Sequence, residues 1–168
     1  MGLWVPLACR VPCQEIFVTG IKALNLPARG GGIATENEIM NLFGKLRQMR
    51  ILLIDDDEWI RDSLRMFFEA EGCRLLAVET AEMAMERLNH GRYDIIIADY
   101  RLPGMDGLEF FRRIRGIAPG CIKILISAYG SEDVLAEATH IGVQEMIAKP
   151  FTSRVLENAL ARLLQGSP

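Results

Sequence analysis

The sequence predicts an α/β domain of three layers, with five parallel strands doubly wound between helices, and two observations carry that prediction. From residue 50 onward, short apolar runs alternate with longer amphipathic ones, the mark of successive βα units. Three of the apolar runs are nearly unbroken Ile, Leu and Val, as strands covered on both faces require. Right-handed crossovers between parallel strands then make a doubly wound sheet the natural solution, with ligands expected beyond the carboxyl ends of the strands.

Taken in order, residues 1–34 carry Pro6, Pro12, Pro27 and the run Gly30, Gly31, Gly32, keep no period of 2 or 3.6, and read as loop or tail. Thr35 and Glu38 make a capping-box pair ahead of Ile39, Leu42, Phe43 and Leu46 at helical spacing, which predicts a short helix over 36–48 weakened by Gly44. Strands are expected at 51–54, 73–78, 94–98, 122–127 and 143–148. The helix over 58–70 puts Ile60, Leu64, Phe67 and Phe68 on one stripe and ends at Gly72. Thr80 caps the next, over 81–90, which Gly91 stops. The remaining helices are expected over 107–115, over 131–140 behind a Ser131 cap, and over 152–164 behind a Thr152 cap. On the last helix, Leu156, Leu160 and Leu163 are expected in the core.

The chain divides near residue 50: residues 50–168 form the expected domain, and 1–49 an extension. The extension carries 5 basic and 3 acidic groups against 14 and 19 in the remainder. It reads either as a regulatory arm whose helix docks on the domain or a partner, or as an upstream stretch with the functional start at Met40 or Met49.

A net charge of −3 gives no electrostatic reason to expect binding to nucleic acid or to anionic membrane. No apolar run reaches the length of a membrane span and the first residues lack a secretory leader, so a cytoplasmic protein is expected. Cys9, Cys13, Cys73 and Cys121 lack paired spacing, and His90 and His140 stand alone, so reduced thiols are expected rather than a zinc site. Gly30, Gly31 and Gly32 follow no strand and lack a phosphate-binding lysine, so they read as a flexible joint.

The chemistry lies at the strand ends. Strand one runs into Asp55, Asp56 and Asp57, strand three into Asp99, strand four ends at Ser127, and strand five ends at Lys149 and Pro150. Carboxylates converging on one crevice repel one another unless cations offset them. Mg2+ is a suitable offset, preferring one or two carboxylates plus a carbonyl and waters, which matches Asp56 and Asp99 with help from Asp55; Lys149 adds positive charge. With a hydroxyl at Ser127, the set suits phosphoryl transfer to a carboxylate, giving an aspartyl-phosphate.

The stretches ILLIDDDEWIR over 51–61, YDIIIADYRLPGMDG over 93–107, ILISA over 124–128, and Lys149, Pro150 and Phe151 resemble, in order and spacing, the receiver domain of two-component response regulators. The resemblance covers about residues 50–165 and rests on four separated motifs. It implies the flavodoxin-like strand order 2-1-3-4-5 and places Asp99 as phosphoacceptor, with Asp55 and Asp56 as the acidic pair at the metal. It also makes the Arg101 backbone carbonyl a metal ligand, Ser127 the switch hydroxyl, Lys149 the phosphate-contacting lysine, and Lys149–Pro150 a cis peptide.

Two positions depart from the family pattern. Met146 stands where the family usually has a switch Tyr or Phe, which removes a stiff aromatic lever. Arg101 and Tyr129 are bulky side chains near the path of an attacking water, so slow self-hydrolysis is expected.

The resemblance implies a stand-alone switch or phosphorelay shuttle, not an enzyme in its own right. Mg2+ is the implied cofactor, with Mn2+ a substitute. A sensor histidine kinase or histidine phosphotransfer protein is the implied donor, and the target is a downstream protein. Movement is expected at Ala128, Tyr129 and the 131–142 helix, across a face completed by strand five and the last helix, through which a homodimer is also conceivable. Two readings compete. One is the input half of a DNA-binding or enzymatic regulator whose output domain is absent, although residues 1–49 show no helix-turn-helix pattern. The other is a haloacid-dehalogenase-like phosphatase, which wants a second Asp where this chain has Arg101.

Overall fold

The structure, a computed structural model, describes residues 36–128 and 130–165. Expectations for Thr35, the Gly30–Gly32 joint, Cys9, Cys13 and Tyr129 lie outside the described residues. In chain order the elements are α1 (Glu36–Leu46), β1 (Arg50–Ile54), α2 (Glu58–Ala70), β2 (Arg74–Val78), α3 (Ala81–His90), β3 (Ile95–Asp99), α4 (Gly107–Ile114), β4 (Ile122–Ser127), α5 (Glu132–His140), β5 (Glu145–Ala148) and α6 (Ser153–Gln165).

The five strands form one parallel sheet in the order β2-β1-β3-β4-β5. Alternation along each strand divides the core in two. Ile51, Leu53, Ile95, Ile97, Ile124 and Ile126 pack under α1, α2 and α6. Leu52, Ile54, Ile96, Ala98 and Leu125 pack under α3, α4 and α5. The central strand β3 is buried at every position, whereas the edge strand β2 is half-buried along most of its length. That contrast explains the unbroken Ile run of 95–97: a strand flanked by helices on both faces has no solvent side on which to place a polar residue.

Differences from the expected boundaries arise where helices close. Strand two starts at Arg74 rather than 73, because the Cys73 N–H donates to the Phe68 carbonyl at 2.8 Å. Gly72 makes that turn with a φ of 72°. Strand five starts at Glu145 rather than 143, since the Val143 N–H donates to the Ala138 carbonyl at 2.9 Å and ends α5. Strand three is shifted by one residue to include Asp99, which pairs with Ile126 of β4.

Thr80, Asp106 and Ser131 cap α3, α4 and α5 by accepting from the N–H groups of Met83, Glu109 and Val134. Leu156 and Leu160 are fully buried and Leu163 is half-buried against the same core. No helix among the described residues is long and apolar enough to cross a membrane.

Candidate functional site

Register brings the site together. Ile54 of β1 lies opposite Ala98 of β3, so Asp55 and Asp99, the next residue on each chain path, emerge side by side at the carboxyl edge of the sheet. Ser127 of β4 lies opposite Ala148 of β5, and Lys149 follows. Strands β1 and β3 diverge in their connections here, and the crevice between them is where a doubly wound sheet presents ligands.

Asp55 is completely buried, and each carboxylate oxygen is engaged. Oδ1 accepts from the Asp57 N–H at 3.0 Å, and Oδ2 accepts from Lys149 Nζ at 2.9 Å. Lys149 Nζ also reaches Asp99 Oδ2 at 2.9 Å, so one ammonium bridges both buried carboxylates. Its backbone is held as well: the Lys149 N–H donates to the Ser127 carbonyl at 2.8 Å, and the Lys149–Pro150 peptide is cis.

Burial pushes the Asp55 carboxyl above its ordinary 3.8, against the pull of Lys149. Burial opposes the charge on Lys149 too, but the attraction of Asp55 and the hydrogen bonds to Asp99 and Asp55 outweigh it, holding the ammonium above its ordinary 10.5.

Asp55, Asp56 and Asp99 each offer a carboxylate oxygen, all within 4.8 Å of one another. Asp55 and Asp99 are buried and Asp56 is exposed, so the cluster opens to solvent on one side. It is the one grouping of three such ligands among the described residues. A hard divalent cation that keeps several waters fits this all-oxygen donor set, because the exposed side leaves room for the waters. Ser127 is buried at the end of β4, Ala128 next to it is exposed, and Met146 is half-buried against the α3–α4–α5 side of the core. The Arg101 side chain is exposed, two residues beyond Asp99. Cys73 and Cys121 are free and buried, and burial pushes both thiols up, which suits inert packing.

Three supporting residues carry no signal strong enough to read in advance. Asp57, third in the acidic run, is the N-cap of α2: its carboxylate accepts from the Trp59 N–H at 2.9 Å. Arg61 donates from Nη1 to the Asp55 carbonyl at 2.8 Å, fixing the turn out of β1. Gly107 sits where a Cβ would lie 2.3 Å from the Asp99 carbonyl oxygen, so only a glycine lets α4 start this close to the end of β3. The Asp-Gly pair at 106–107 was the available clue for Gly107; Arg61, one turn into α2, offered none.

A parallel sheet in this order, with three carboxylates and a lysine at its switch point, defines an α/β protein with an acidic, cation-receptive crevice at the carboxyl ends of its strands. Residues 51–161 match the family model of the response regulator receiver domain. Sporulation initiation phosphotransferase F of Bacillus subtilis is 30% identical over 115 residues, covering 68% of this chain and 93% of that protein. The response regulator protein FleR of Pseudomonas aeruginosa is 34% identical over 117 residues, and there the match spans 70% of this chain but only 25% of the relative. A CheY-like receiver domain protein of Methanospirillum hungatei superposes with a TM-score of 0.66 at 28% identity, covering 70% of this chain and 94% of that one. The chain belongs to the response regulator receiver domain family. Its members are phosphoacceptors of two-component signalling that work with histidine kinases or phosphotransfer proteins.

Proposed function

We propose that Asp99 is the phosphoacceptor and that the protein relays or reports the phosphoryl state of a partner histidine. The observation that carries this reading is the Lys149 ammonium, held 2.9 Å from the carboxylates of both Asp99 and Asp55 at the mouth of the acidic crevice. An Asp99 carboxylate oxygen attacks the phosphorus of a phosphohistidine. The new O–P bond replaces the N–P bond, and the imidazole leaves with its electron pair and takes up a proton. Lys149 leaves the carboxylate of Asp99 for a phosphoryl oxygen, and the Ser127 hydroxyl donates to another. Positioning and charge neutralisation supply most of the catalysis in such a transfer.

Asp55, Asp56, Asp99 and the Arg101 backbone carbonyl are the groups assigned to hold Mg2+, with Mn2+ as a substitute. When bound, the ion supplies charge neutralisation beside the transferred group. The chain's own residues do the rest: Asp57 and Arg61 fix the turn bearing Asp55, and Gly107 lets the start of α4 pack close against the backbone of Asp99.

The donor is a sensor histidine kinase or a histidine phosphotransfer protein in the cytoplasm, and the output is a protein target on the α5–β5–α6 face. Inward movement of Ser127 repacks Ala128, Tyr129 and α5, with Met146 filling the switch position as a soft plug in place of an aromatic lever. Arg101 and Tyr129 are the residues assigned to slow hydrolysis and lengthen the phosphoryl lifetime. A double Arg101→Ala, Tyr129→Ala variant is expected to lose its phosphoryl group faster, and an unchanged decay rate counts against that role.

The match takes in 93% of the phosphotransferase F chain and 25% of FleR, so a stand-alone relay and the input half of a longer regulator are two readings of the same receiver segment. The direct test is intact-mass measurement after exposure to acetyl phosphate and Mg2+, on the parent and on Asp99→Asn. A phosphoryl adduct in the parent alone is expected; no adduct, or the same adduct in both, overturns the assignment.

A further inference from the structure

Helix α1 lies outside residues 51–161, which match the family model, yet it is built into the core. Leu42, Phe43 and Leu46 are 3%, 6% and 0% exposed, and the Phe43 ring meets the Phe67 ring of α2 edge-on at 5.9 Å. Two cations continue the contact. Lys45 Nζ donates to the Leu164 carbonyl of α6 at 3.0 Å, and Arg47 Nε donates to the Glu71 carbonyl at the end of α2 at 2.7 Å. Both acceptors lie at helix C-termini, where terminal carbonyls lack intrahelical partners and the helix dipole favours a positive charge. A single segment thus closes the base of both helices on that side of the sheet.

We infer that α1 is a phosphorylation-sensitive brace, whose grip on α6 is coupled to the state of Asp99. This rests on the function proposed above. The coupling runs through α6 itself. The helix starts at Ser153, four residues after Lys149, and its buried Leu156, Leu160 and Leu164 share one core cluster with Leu42, Phe43 and Leu46. A 13-residue helix is a rod of about 20 Å. When Lys149 exchanges a carboxylate for a phosphoryl oxygen, a displacement at the start of the rod reaches its end, where Lys45 holds the Leu164 carbonyl. The α1 contacts are those made while Lys149 bridges the carboxylates of Asp55 and Asp99, and close-packed cores rearrange between discrete states rather than deform smoothly. Phosphorylation therefore loosens α1, and by reciprocity a loosened α1 favours the phosphorylated state by the same factor.

The test is amide hydrogen exchange of the full chain with Mg2+, with and without acetyl phosphate, while intact mass reports the phosphoryl adduct in the same samples. Amides of α1 are expected to exchange about 5-fold faster in the phosphorylated protein, with no change in Asp99→Asn. A reciprocal arm measures beryllium fluoride affinity by calorimetry. Lys45→Met with Arg47→Met, which removes both carbonyl contacts from outside the core, is expected to bind about 5-fold tighter than the parent. A phosphoryl adduct with α1 exchange unchanged or slowed overturns the brace and leaves the phosphoacceptor standing. Absence of the adduct overturns both.

Discussion

Lys149 is where most of the site's electrostatics meet. Its ammonium is the counter-charge for a carboxylate with no exposure to water, and removing one partner of a buried pair costs more than the pair contributes. Lys149→Met is expected to lower unfolding stability by about 3 kcal/mol near pH 7 without Mg2+. Because the folded-state value of Lys149 lies above its ordinary 10.5, its stabilisation is complete below that value and is lost as pH rises through the higher folded value. The gap between parent and variant in urea-melt midpoints therefore shrinks in strong alkali; a gap that widens there contradicts the ion pair. Gly107 makes a second case. Gly107→Ala puts a methyl 2.3 Å from the Asp99 carbonyl oxygen, forcing β3 or α4 to shift at a cost of about 1–3 kcal/mol and slowing phosphorylation. Gly116, with nothing within 4 Å of an added Cβ, is the matched control: Gly116→Ala is expected to leave melting temperature and phosphorylation rate unchanged.

Among the elements, α1 separates what a sequence shows from what it withholds. The spacing of Leu42, Phe43 and Leu46 announces an amphipathic helix, but a stripe says only that a face is buried, not against what. The surface that receives it is assembled from α2 and α6, with α6 more than a hundred residues away in the chain, as the 119-residue span of the Lys45–Leu164 contact shows. Strands were readable because burial on both faces demands unbroken apolar runs; their ends were not, since Cys73 and Val143 look like strand residues yet close the preceding helices through backbone bonds. The acidic and basic residues of the site were legible because each lies at or just beyond the carboxyl end of a strand, whereas the roles of Arg61 and Gly107 depend on how closely two elements approach. If α1 belongs to the folding unit, Leu46→Ala, at 0% exposure, costs about 2–5 kcal/mol, while Met40→Ala, at 75% exposure, stays within about 0.5 kcal/mol. Urea titration of the two variants decides it, since an extension that merely rests on the domain predicts equal, small effects.

At the scale of the whole molecule, the acidic crevice makes stability a function of pH, and Mg2+ held there as proposed would add a dependence of the opposite sign. Asp55 takes up protons more readily folded than unfolded, because burial raises its carboxyl above 3.8. Between the ordinary and the raised value the native state binds more protons, so this group lowers stability as pH rises in protein without Mg2+. Mg2+ held as proposed would require the deprotonated carboxylates, so the ion would compete with those protons and its stabilisation would grow as pH rises. At a free concentration of 100 times its dissociation constant, a ligand of the native state adds about 2.7 kcal/mol. The rise in melting temperature on adding saturating Mg2+ is therefore expected to be small near pH 4 and largest near pH 7, and to be sharply reduced in Asp56→Asn, which removes the exposed carboxylate of the cluster. Trp59, next to the Asp57 cap and 83% exposed, provides an optical reading of the same event: its emission is expected to change with Mg2+ in the parent and not in Asp56→Asn. A shift in melting temperature that is independent of pH, or equal in parent and variant, places the ion elsewhere on the protein and detaches the metal from the carboxylates that the sheet brings together.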